Sequence, residues 1–192
     1  TDIQIEPKKK VVSHSQYSMW LTCPRKYYLN YIAGKKIVDL SFNMFFGTAM
    51  HHAIQLYIKT LYTVNRTEAS KIDLYKEFSD KFKSEVEKES EKFKYKQEEY
   101  DQFLTVLLTI IEAFLKSDIQ KKYFPDDKYE FIGVEIPLDI SILNNINFIA
   151  YIDLVLKDKK TNKIKIFDFK TSNTGWNVYI KEDMGKFSQL LL

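Results

Sequence analysis

Two neighbouring stretches decide the fold: Phe148-Ile149-Ala150-Tyr151-Ile152-Asp153-Leu154-Val155-Leu156 and, after a polar turn over Asp158 to Asn162, Lys163-Ile164-Lys165-Ile166-Phe167-Asp168-Phe169-Lys170. The first is apolar on both faces of an extended chain except at Asp153. A carboxylate among apolar residues is costly unless it is paired or bound to a cation. In the second, Asp168 and Lys170 are two apart and share one face of a strand. Ile164 and Ile166 fall on that same face, which marks it as facing a core or a cleft. Two carboxylates on adjacent strands suit a hard divalent cation. A lysine beside them can orient or deprotonate a water, or stabilise developing negative charge. The same pattern also suits a plain buried Asp–Lys ion pair at a strand end.

Upstream, Ile132, Val134, Ile136, Leu138 and Ile140 alternate with Phe131, Gly133, Glu135, Pro137 and Asp139, the period of a strand. Leu143-Asn144-Asn145 and Asp158 to Asn162 are short enough for hairpins, so the three strands form an antiparallel meander. Glu135, on the polar side of the first strand, is either a further acid near the carboxylate pair or a surface glutamate.

Before the strands the pattern is helical. Ser13 or Ser15 can cap a first helix. Pro24 stops it near Cys23 and opens a second. Gly34 is placed to end that one. A third helix is expected from about Thr48 to Tyr62, with Ala49, Ala53, Leu56 and Leu61 on its stripe. Residues 71–97 read as a solvent-facing amphipathic helix carrying Leu74, Phe78, Phe82 and Val86, and residues 98–121 as a more apolar one. A closing helix is expected near residues 177–192. Residues 1–12, with Lys8-Lys9-Lys10, read as a polar arm ahead of a single domain over 13–192. The fold class is α+β, with a helical N-terminal half.

The chain has 192 residues, 45% apolar and 29% charged, with five Gly and four Pro, a globular composition. Cys23 is the lone cysteine, which excludes an internal disulfide and a four-thiolate metal site. No apolar run reaches the roughly 20 residues that cross a bilayer, so no membrane partner is expected. Together with the lone cysteine this points to a reducing, cytoplasmic or nucleoid-associated setting. The net charge of +3 is unevenly spread: residues 1–70 hold 9 basic and 4 acidic side chains, whereas residues 102–192 hold 12 of each. A basic N-terminal third is compatible with a polyanion partner.

Asp153, fourteen residues, then Asp168-Phe169-Lys170-Thr171 resembles the D…(D/E)-x-K core of the PD-(D/E)XK nuclease superfamily, and more specifically its RecB-like exonuclease branch. Ala150 stands where that branch usually has Gly. Ser13-His14-Ser15-Gln16-Tyr17 through Cys23-Pro24-Arg25-Lys26-Tyr27 resembles the opening helix pair of the branch, and Phe46-Gly47-Thr48-Ala49-Met50-His51 its glycine-to-histidine motif. Gln189-Leu190-Leu191-Leu192 resembles the start of its Q-x-x-x-Y motif, one residue short of the tyrosine, which suggests a domain truncated at its C-terminal end.

The resemblance implies a restriction-endonuclease-like core, a central mixed sheet flanked by helices. It implies a metal-dependent deoxyribonuclease, an exonuclease of DNA repair, recombination or replication, working on DNA and alongside other repair or replication proteins. His51, Asp153, Asp168 and the backbone carbonyl of Phe169 would hold Mg²⁺ or Mn²⁺. The spacing from Gly47 favours His51 over its neighbour His52. Asp153, Asp168, Lys170 and Gln189 would carry the chemistry. Arg25, Lys26, Lys35 and Lys36 would line a DNA path, and Trp176 and Tyr179 would stack on bases. The alternative is a nuclease-fold DNA-binding scaffold with weak or no catalysis. Iron–sulfur relatives need three further cysteines, which leaves Cys23 as a packed helix residue.

Overall fold

The structure, a computed structural model, describes residues 10–35, 40–116, 118–143 and 145–170. The expected closing helix, Gln189, Trp176, Tyr179 and Lys36 lie outside the described residues. The order is β1 (Lys10–Ser13), α1 (His14–Thr22), α2 (Pro24–Tyr27) running into a π turn (Tyr28–Ile32), α3 (Phe42–Thr63), α4 (Arg66–Ser70), α5 (Leu74–Lys88), α6 (Gln97–Lys116), α7 (Asp118–Tyr123), β2 (Tyr129–Leu143), β3 (Ile146–Asp158) and β4 (Ile164–Phe167). The class is α+β: the short β1 comes first, helices fill the rest of the N-terminal half, and β2 to β4 follow them and join β1 in a four-stranded mixed sheet, consistent with a restriction-endonuclease-like fold.

The described residues divide into two compact units, one drawn from the stretches 10–35 and 137–151, the other from 40–136 and 152–170. In the first, Lys10 to Ser13 pair in parallel with Ile146 to Ile149, so the end of the expected polar arm is a strand. Val11 and Val12 supply the β-branched residues that the lysine run conceals. The Ser13 hydroxyl accepts from the Gln16 N–H and opens α1. Pro24 then forces the break, and the Cys23 thiol caps α2 by accepting from the Lys26 N–H at 3.4 Å. Gly34 ends the π turn at φ +66°, a conformation that favours glycine, and the next N–H, of Lys35, returns to the Leu29 carbonyl at 2.8 Å.

The second unit holds the main core. α3 starts at Phe42, well before the expected Thr48, because Phe42, Phe45 and Phe46 are all buried. That burial outweighs the roughly 1 kcal/mol that Gly47 costs a helix interior. Ala49, Ala53 and Leu61 are buried as expected, while Leu56 is only half-buried. α5 presents Leu74, Phe78, Phe82 and Val86 to α3, capped by Asp73 accepting from the Lys76 N–H. Its outer face carries Lys76–Asp80 and Lys81–Glu85 pairs of 2.6 and 2.9 Å, surface contacts that water and salt screen and that add little to the stability of the fold. The charged stretch stops being helical at Lys88, where the i+4 apolar ladder ends. α6 contributes Leu107 and Ile111, with Phe103 and Phe114 packed beside them. Among the described residues no helix is long and apolar enough to cross a membrane.

β3 is the central strand. It neighbours β2, and Leu154 to Lys157 pair antiparallel with Phe167 to Ile164. The expected meander is present. One face assignment is corrected: Ile164 and Ile166 are exposed, at 55% and 64%, while Phe167 packs inward against Phe124 and Tyr129. A ring buries more area than a branched aliphatic, and the aromatic side of β4 takes the core. Along β2 the inward residues shift from Tyr129 and Phe131 to Val134. This one-residue slip is of the kind a β-bulge produces, and Glu135 beside it has φ +47°.

Phe82 lies fully buried, stacked on Tyr100 at 5.2 Å and 5.5 Å from Phe78. Phe82→Ala should destabilise the protein by about 3–5 kcal/mol in urea unfolding. A loss below about 1 kcal/mol would contradict this account of the core.

Candidate metal centre

α3, β2 and β3 each bring one polar side chain to the same place. His51 is half-buried on α3, Glu135 is exposed on β2 where the alternation slips, and Asp153 is half-buried on β3. One ligand atom from each lies within 4.8 Å of the other two. Oxygen ligands of Ca²⁺ or Mg²⁺ sit about 2.0–2.6 Å from the ion, so ligands on opposite sides of it are about 4–5 Å apart. The donor set, one imidazole and two carboxylates, fits a divalent cation that accepts nitrogen and oxygen together.

Asp153 is held by several groups. Its Oδ2 accepts the Phe169 backbone N–H at 2.7 Å, and its Oδ1 is 3.7 Å from His51 Nδ1. Burial pushes its carboxyl above the ordinary aspartate range. The Phe169 N–H and His51 act against that shift, and the negative charges of Asp168 and Glu135 add to it. The His51 ring stands edge-on to Phe169, their centres 6.0 Å apart.

Asp168 is not one of the three clustered ligands. Its Oδ1 accepts from Lys170 Nζ at 2.9 Å, yet it stays close enough for its charge to be felt at Asp153. The two residues lie on one side of the chain after β4, as their spacing predicts. Phe169 sits between them with its N–H committed to Asp153. His52 points elsewhere, 3.6 Å from Glu77 at an exposed site.

Glu135 is aimed into the cluster from a left-handed backbone conformation. For a residue with a Cβ, such a conformation costs about 1–3 kcal/mol. Its Oε1 accepts from Gln55 Nε2 at 2.7 Å. Gln55, buried on α3 one turn after His51, also donates to the Asp153 carbonyl at 3.2 Å. Sequence reasoning passed over Gln55. Its signal was a polar residue four positions from His51, among the residues that α3 buries.

In the other unit, Arg25, Lys26 and Lys35 join Cys23, Leu29 and Asn30 around a cleft of about 310 Å³. A larger concavity, at Ser141, Ile142, Leu143 and Ile146 beside the β2–β3 turn, has no charged side chain in its lining, so volume alone does not locate chemistry here.

A family model of the PD-(D/E)XK nuclease superfamily matches residues 11–192. The chain belongs to that superfamily, which carries a nuclease-type, phosphodiester-cleaving function and uses divalent metals. No curated protein matches the chain.

Because the folded state raises the Asp153 pKa, its contribution to stability is fully present below the unfolded value of about 3.9 and is lost as pH rises through the folded value. Charged Asp153 therefore weakens the metal-free fold at neutral pH. Asp153→Asn should raise the metal-free Tm at pH 7, and the difference should close as pH falls toward about 4. Mn²⁺ should raise the Tm of the wild type and not of the variant. A variant less stable than wild type at pH 7 without metal would contradict this.

Proposed function

We propose that the chain is a RecB-like, metal-dependent DNA nuclease, an exonuclease of DNA repair, recombination or replication that works at cytoplasmic or nucleoid DNA with other proteins of those processes. The observation that carries this reading is the His51–Glu135–Asp153 cluster with the Asp168–Lys170 pair beside it. The RecB-like motifs around Gly47–His51 and Asp168–Thr171 supply the branch and the exonuclease role. In this reading the nuclease domain spans 13–192.

His51, Glu135 and Asp153 would hold Mg²⁺ or Mn²⁺, with Asp168 and the Phe169 carbonyl beside them to complete its shell. Such an ion, when bound, polarises the scissile phosphate and lowers the pKa of a bound water. Lys170 carries a cation on a flexible stem and stabilises the negative charge that grows on the phosphorus oxygens. Its bond to Asp168 keeps the ammonium beside the carboxylates. Asp153, held by the Phe169 N–H, presents its remaining lone pairs to the site. Gln189 would orient Lys170 or the phosphate. Arg25, Lys26, Lys35 and Lys36 would contact phosphates without reading sequence, and Trp176 and Tyr179 would stack on exposed bases.

The test is cleavage of labelled linear, circular and single-stranded DNA by the full chain in Mg²⁺, in Mn²⁺ and in chelator. Metal-dependent loss of linear DNA with circular DNA spared is expected. Lys170→Ala should cut the rate about 10²–10³-fold, the scale of losing one stabilising donor, and leave affinity little changed, because its charge acts mainly on the transition state. Replacing Arg25, Lys26 and Lys35 with Ala should weaken binding and flatten its dependence on salt by roughly 0.9 in log–log slope for each phosphate no longer neutralised on duplex DNA. DNA bound with that salt dependence yet left uncut in both metals would replace the nuclease reading with that of a binding scaffold.

A further inference from the structure

Gln55 is a buried amide with two acceptors in front of its nitrogen. Nε2 donates to Glu135 Oε1 at 2.7 Å and to the Asp153 backbone carbonyl at 3.2 Å. A carboxylate and a carbonyl can only accept, so the amide has one workable orientation, with its nitrogen toward both. Its side chain therefore ties α3, β2 and β3 together at the three residues that form the cluster. It leaves α3 one helical turn after His51, on a neighbouring part of the same surface.

Glu135 needs such a partner. It is an exposed, long side chain on a positive-φ backbone, where water competes for its carboxylate. The bond to Gln55 occupies one lone pair of Oε1 and leaves the other lone pairs of the carboxylate for a cation. The charge of the partner also matters. A glutamate at position 55 would set one carboxylate against another, and a methionine would fill the same volume with nothing to donate.

We propose that Gln55 is a positioning residue that holds Glu135 in place as a metal ligand, and so sets the affinity of the site for its cation. This rests on the reading of His51, Glu135 and Asp153 as a metal centre. Glu135 becomes a constitutive ligand whose orientation is fixed before the ion arrives. Gln55 acts from behind the ligands, as outer-shell partners of metal sites do, where substitution typically costs about 10–100-fold in metal affinity or activity.

The experiment is calorimetric titration of the metal-free full chain with Mn²⁺ for the wild type, Gln55→Met, Gln55→Glu, Glu135→Gln and the double variant Gln55→Met/Glu135→Gln. Metal-free melting curves would confirm that each is folded. Gln55→Met should weaken Mn²⁺ binding about 10–100-fold. The Mn²⁺ concentration for half-maximal cleavage should rise by the same factor, with the rate at saturating metal nearly unchanged. In the Glu135→Gln background, Gln55→Met should cost little more, since its effect passes through Glu135. A purely structural role would lower Tm in both backgrounds and leave Mn²⁺ affinity unmoved. If Gln55→Met binds Mn²⁺ within twofold of wild type, or if the two substitutions add in full, the positioning role is overturned. Should Gln55→Met not fold, Gln55→Glu, the isosteric change, carries the same expected loss of affinity, and binding within twofold of wild type overturns the role there too. A wild type that binds no Mn²⁺ removes the metal centre itself, an outcome distinct from a Gln55 variant that binds normally.

Discussion

Asp153 sits where β3 is apolar on both sides, and a carboxylate there is tolerable only because other groups meet it. The Phe169 N–H takes one oxygen, His51 approaches the other, and Gln55 takes the backbone carbonyl. Each of these comes from a different part of the chain: the segment after β4 and two successive turns of α3. Burial still pushes the Asp153 carboxyl up, so these contacts do not fully offset the cost of its charge. The remainder is the kind of unfavourable electrostatics that a bound cation relieves.

The rest of the unit serves to hold that arrangement rigid. α3 is anchored at its start by Phe42, Phe45 and Phe46 and along its length by α5, whose apolar ladder is fully or almost fully buried. Phe42 packs against Phe82, Phe93 and Phe103, with ring centres 5.0 to 5.8 Å apart, so the helix that carries His51 and Gln55 is seated in an aromatic cluster. On the opposite side, the change of inward face along β2 lets Glu135 reach the cluster while Phe131 and Val134 both pack against the core. Stability and site geometry are thus linked through the same few elements.

Much of this was legible in the sequence, for identifiable reasons. Asp153 was conspicuous as the one charge in an apolar strand, and Asp168 and Lys170 by their period of two. Pro24 and Gly34 punctuated the N-terminal helices where expected, because each imposes its backbone geometry locally. The i+4 spacing of Leu74, Phe78, Phe82 and Val86 translated directly into a buried face. What local patterns did not reveal depends on tertiary contacts. Ile164 and Ile166 looked like core residues and are exposed, because the rings of β4 won the interior. The role of Glu135 turned on a change of phase within β2 that strict alternation conceals. Gln55 became visible only when α3, β2 and β3 came together, since its two acceptors lie 80 and 98 positions away in the chain.

The central claim is that His51, Glu135 and Asp153 form one metal centre beside Asp168 and Lys170. A crystal structure of the full chain soaked in Mn²⁺, with anomalous data collected at the manganese edge, tests it most directly. The account predicts a single strong anomalous peak in contact with a His51 nitrogen and with oxygens of Glu135 and Asp153, and with Lys170 Nζ near but not bonded to the ion. A peak held by other residues, or one at this place with His51 and Glu135 both turned away, would contradict it.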